Sequence, residues 1–78
     1  MDTFMFTVTG NAMEPEYYDG DRVQVQRTQD LDFGDVGIFL IGTEMVMREY
    51  GPGGLYAKNP NYPLLPTEGV QIVGRVEK

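Results

Sequence analysis

Hydrophobic and polar positions along this chain alternate in short runs, broken every few residues by glycine, proline or aspartate. Period-two patterning with closely spaced turn residues predicts strands rather than helices. Phe4, Phe6 and Val8 alternate with Met5 and Thr7, so a first strand is expected at about residues 3–8, ended by Gly10. After a Gly20-Asp21 turn, Val23 and Val25 alternate with Gln24 and Gln26 in a second. Val36–Ile41 is nearly continuous in apolar character, the pattern of a strand buried on both faces. Gly42-Thr43 reads as a two-residue hairpin link into residues 44–50, and Gly51-Pro52-Gly53-Gly54 as the tip of a further hairpin returning through residues 55–57. A last strand is expected at residues 70–76.

Between these runs, Met13 to Asp19 is too short and proline-marked for a stable helix, with room for a single helical turn. Asn59-Pro60-Asn61-Tyr62-Pro63 must be loop, because its prolines neither donate to a ladder nor let the preceding residue go helical. The expectation is one small all-β domain over residues 1–78, without repeat or linker.

Composition narrows the function. A 78-residue chain buries only about 60–65% of its unfolded surface, so a compact β fold or a covering partner is needed. The formal charge of −6 argues against direct nucleic-acid binding, which needs a Lys/Arg surface. The apolar run Ile38-Phe39-Leu40-Ile41 is far too short to span a bilayer. No signal peptide is expected and the cytoplasm is the default location. The chain has no cysteine and no histidine, which excludes disulfides, a thiol nucleophile, a zinc–thiolate site and a Ser-His-Asp mechanism. No metal or cofactor is expected. Asp19 and Asp21, near Glu14 and Glu16, read as turn formers, and calcium-loop spacing is lacking.

The stretch richest in chemistry is Val8-Thr9-Gly10-Asn11-Ala12-Met13-Glu14-Pro15, followed after Glu16-Tyr17-Tyr18-Asp19 by Gly20-Asp21. It resembles the active-site signature of the LexA-like serine peptidases, the self-cleaving SOS and phage repressors, which reads Val-x-Gly-x-Ser-Met-x-Pro, four residues, then Gly-Asp. Further blocks match in order: Val23 and Val25, Gly34-Asp35-Val36, an Asn-Pro-x-Tyr-Pro loop at residues 59–63, and Gly74-Arg75-Val76. The resemblance implies the small, strongly bent β-sheet or barrel of the LexA-like and signal-peptidase type. It also implies a Ser–Lys dyad, in which a buried neutral lysine takes the serine proton and backbone N–H groups at Asn11, Ala12 and Met13 line the oxyanion site.

This sequence departs from the family at the reacting groups. Ala12 stands at the serine position. Keeping the hairpin ungapped from Gly34 puts the lysine position at Arg48, the preferred register; matching Val-Lys-Arg to Val46-Met47-Arg48 puts it at Met47. Methionine does not titrate and guanidinium stays protonated, so neither is a base. The resemblance therefore implies the C-terminal regulatory domain of a phage- or SOS-type transcriptional repressor, catalytically silent, with no N-terminal DNA-binding domain and no cleavage segment in the chain. The alternatives are an active self-cleaving peptidase whose serine and lysine have been replaced at positions 12 and 48, and a stand-alone β interaction module sharing only the fold. The expected partners are a second copy, through the last strand (Val70, Ile72 and Val76), read as an exposed edge, and an extended peptide or the protein's own linker in the groove. Neither direct nucleic-acid contact nor membrane contact is expected.

Overall fold

The structure, a computed structural model, describes residues 2–77. Among them are strands β1 (Thr3–Thr7), β2 (Arg22–Gln26), β3 (Val36–Ile41), β4 (Glu44–Gly51), β5 (Gly54–Tyr56) and β6 (Gln71–Val76). They form one six-stranded sheet in the order β1-β2-β6-β3-β4-β5. Every neighbouring pair is antiparallel. The domain is all-β, and the strands fall where the alternation of side chains placed them. Gly42, at φ +64, sits in the β3–β4 turn, where a left-handed backbone favours glycine. The β4–β5 turn closes over Pro52-Gly53 with Gly51 opposite Gly54.

A lone sheet with no second layer can bury a core only by bending around it. Val25, Val36, Ile38, Met47 and Val76, from four strands, converge with Val8 and Met13 from the β1–β2 connection. Phe4, Phe6, Tyr17, Val23 and Val73 pack against this cluster. A β-bulge assists the bend: Ile38 lies opposite Gly74 but Phe39 opposite Ile72, so Val73 is the extra residue on β6. Gly74 beside it has no room for a side chain, since a Cβ there would come within 2.5 Å of the Gln26 carbonyl oxygen. β3 is buried on both faces, as its composition predicts: Ile38 faces the main cluster, and Phe39, on the opposite face, is also fully buried.

The expectation that the last strand is a free edge does not hold. β6 lies inside the sheet, between β2 and β3. Val76 is buried in the protomer's own core and cannot serve an interface. Pairing with β2, however, begins only at Arg75 and runs on through Val76 to Glu77, because β2 ends at Gln26. The first half of β6 is therefore open on that side. A recess of about 390 Å³ lies there, lined by Arg27, Thr28, Leu40, Gln71, Ile72 and Val73.

Candidate functional site

The β1–β2 connection is held in a fixed turn by its own aspartates. Val8 N–H donates to the Asp21 carbonyl and Gly20 N–H to the Val8 carbonyl. The Asp19 carboxylate accepts the Gly10 N–H at 2.7 Å, and the Asp21 carboxylate accepts the Tyr18 N–H at 2.8 Å. These carboxylates thus act as turn formers. Gly10 takes φ +77, a backbone conformation that L side chains rarely adopt. No helix forms over Met13–Asp19; Glu16 and Tyr17 N–H groups both donate to the Met13 carbonyl, and the Glu14–Pro15 bond is cis.

Directly after Gly10 the chain is stapled from the far end of the sequence. Asn59 donates its side-chain Nδ2 to the Asn11 carbonyl at 3.1 Å and its backbone N–H to the Ala12 carbonyl at 2.9 Å. Its own Oδ1 accepts the Asn61 N–H, which shapes the loop. The Tyr62 hydroxyl donates to Asn11 Oδ1. Ala12 is consequently held with only 7% of its surface exposed. The Asn-Pro-Asn-Tyr-Pro run was legible as loop; that it clamps the Ala12 turn, through Asn59 and Tyr62, was not. Its two side-chain amides and a phenol, carried on a proline-marked turn that the Tyr62 N–H closes onto the Asn59 carbonyl, are the signal for such a clamp.

Strand β4 supplies the facing wall. Ala12, Met47 and Arg48 line one cavity of about 180 Å³, together with Phe6, Thr9 and Tyr62. Successive strand residues point to opposite faces. Met47 packs in the core cluster with Met13, whereas Arg48 is half-buried and lays its guanidinium 5.5 Å from the Tyr62 ring centroid. Arg48 Nη1 donates to the Met47 carbonyl at 2.8 Å. Its Nε–H is buried without an acceptor among the described residues. Burial pushes the Arg48 pKa down from its ordinary value, with Tyr62 opposing; a guanidinium remains a cation at any working pH. Met13 is a core residue and does not line the cavity. Among the described tyrosines, Tyr62 lines this cavity.

The lysine among the described residues, Lys58, lies outside the cavity lining and ion-pairs with Glu49 and Glu16. The hydrogen bond to Glu49 raises its pKa from the ordinary lysine value. It is thus further from a neutral amine than a free lysine, the opposite of what a general base requires.

The sequence model of the family described as Peptidase S24-like matches residues 1–77. The chain belongs to the Peptidase S24-like family. These are the LexA-like serine peptidases, and the match extends over nearly the whole sequence, well beyond the turn that carries Ala12. No curated protein matches the chain. Among the described residues of this S24-like domain, no helix is long and apolar enough to cross a membrane.

Proposed function

We propose that this S24-like domain is the regulatory domain of a phage- or SOS-type transcriptional repressor in catalytically silent form, retaining association and peptide holding without hydrolysis. The observation that carries the reading is the content of the cavity. The family's nucleophile position holds a methyl group, and both candidate base positions, Arg48 and Met47, hold side chains that take no proton from a hydroxyl. Acyl transfer by a dyad needs a nucleophile and a base in hydrogen-bond reach, with N–H donors for the oxyanion. In this reading the turn at Ala12 still borders that oxyanion position, but nothing generates the oxyanion.

The test is restoration. A linker with an Ala-Gly bond is fused ahead of Met1, and self-cleavage is followed by mass spectrometry at mildly alkaline pH, which favours a neutral lysine. The native domain is expected to leave the bond intact. Ala12→Ser combined with Arg48→Lys or with Met47→Lys is expected to cut it. Cleavage by the native domain would refute silence; inertness of both restored variants would mean that the substrate geometry has been lost as well.

Association is proposed through the open half of β6, where half-buried Ile72 lines the recess, with half-buried Val70 just ahead of the strand. An unpaired strand side and adjoining apolar surface invite a second copy. Light scattering is expected to give a doubled mass that falls to monomer in Ile72→Asp. A monomer at high micromolar concentration would remove this role.

A further inference from the structure

The open side of β4 supports a more specific statement about what the cavity holds, one that rests on the peptide-holding reading above. β5 pairs only with Glu49–Gly51, so Glu44 to Arg48 have β3 on one side and no strand on the other. The Tyr50 N–H donates to Asp35 and its carbonyl accepts from Gly34, both on the β3 side. Backbone polar groups alternate in direction along an antiparallel strand. Those of Met45 and Met47 therefore point to the open side, into the region that Ala12, Phe6 and Thr9 face across the cavity. An extended peptide can add there as a strand. The ladder must stop at Met47, because its carbonyl is already taken by the Arg48 guanidinium.

We propose that the cavity is a receptor for the C-terminal carboxylate of an extended peptide, with Arg48 as the residue that holds it. The charges of the site set the direction. Arg27 and Lys58 have acidic partners, whereas Arg48 has none among the described residues. One of its N–H groups bonds Met47, its Nε–H lacks an acceptor, and its remaining donors face no anion. At the other end of the same cavity lies Glu44, four positions earlier on β4, about 13 Å away along an extended strand. A peptide parallel to β4 brings its N-terminal side toward Glu44 and its last residue to Arg48. The antiparallel choice would carry a chain-end ammonium to the guanidinium. Guanidinium and carboxylate match in charge and in planar fork geometry. Apolar side chains of the peptide would meet Phe6, Met45 and Val46. Holding a chain end in this way needs no nucleophile, so Ala12 is compatible with it.

The experiment uses a fluorescein-labelled Val-Thr-Val-Ala-Val peptide as the free acid and as its C-terminal amide, titrated by fluorescence polarisation. The native domain is expected to bind the acid about ten- to a hundredfold more tightly than the amide, the range of a charge-assisted hydrogen bond. The advantage is expected to shrink with added salt and to vanish in Arg48→Gln. Equal binding of acid and amide to the native domain overturns the carboxylate receptor and leaves the groove reading standing. So does an advantage that survives in a folded Arg48→Gln. Binding of neither peptide overturns both readings. Should Arg48→Gln fail to fold, the acid–amide comparison on the native domain still decides.

Discussion

Phe39→Ala is expected to leave the domain largely unfolded at 37 °C. Phe39 has no exposed surface, and it lies on the face of β3 opposite the main cluster. There it fills space against Gly37, where an added Cβ would sit 3.0 Å from the Phe39 ring and 2.9 Å from Leu31. Truncating a buried phenylalanine typically costs about 3–5 kcal/mol, through lost transfer energy and the cavity left behind. A chain of this size has roughly 4–12 kcal/mol of stability in total, so the substitution removes a large share or all of it. Urea unfolding followed by circular dichroism is the measurement. The midpoint is expected to move to very low denaturant, or the native baseline to disappear. A midpoint within experimental error of the native one would mean that the Phe39 face can collapse around the vacancy and is not a second core.

The weight placed on β3 follows from its position. It carries β4 on one side and β6 on the other, so its residues mediate both of the sheet's largest strand contacts. Much of this was legible in the chain. A nearly continuous apolar run bounded by Gly34-Asp35 and Gly42-Thr43 can only be a strand covered on both faces, and the hairpins around it follow from local turn chemistry. The location of β6 was not legible. Val70, Ile72 and Val76 read the same whether the strand lies at an edge or inside the sheet, because pairing order is set by long-range contacts that leave no local mark. Gly74 held the clue: next to a bulge, with Gln26 and Val25 pressed against it, a glycine signals close approach of another strand. At the site, the motif around Ala12 identified the turn, but the clamp by Asn59 and Tyr62 depends on residues 48 and 51 positions away from Asn11. The preference for Arg48 over Met47 rests on the ungapped hairpin register, for a related reason. Alternation states that the two side chains point oppositely; it does not state which one points toward the core.

The surroundings of those two side chains lead to the other large effect. Met47→Lys is expected to lower stability at neutral pH by about 4 kcal/mol or more, and Arg48→Lys by much less. Met47 is only 4% exposed and packed among Val8, Met13 and Ile38. An ammonium placed there loses its hydration, which drives its pKa well below the ordinary lysine value of about 10.4. The sign of the pH dependence follows. Between the depressed folded pKa and the unfolded pKa, the unfolded chain binds more protons than the native one, so stability rises with pH. Met47→Lys should therefore be at its weakest below the folded pKa and regain stability as pH approaches about 10.4, whereas Arg48→Lys, half-buried at the cavity mouth, should follow the native profile. Unfolding midpoints at pH 7 and at pH 10, each referred to the native domain at the same pH, measure the difference. The same result bears on catalysis, because a lysine serves as a base for a serine only where the fold keeps it neutral. If the alkaline gain belongs to Met47→Lys, the dyad's base position is the buried one, and Ala12→Ser with Met47→Lys is the pair expected to cut. If it belongs to Arg48→Lys, the ungapped register is correct, and the guanidinium now at the cavity mouth stands where the family's amine once worked.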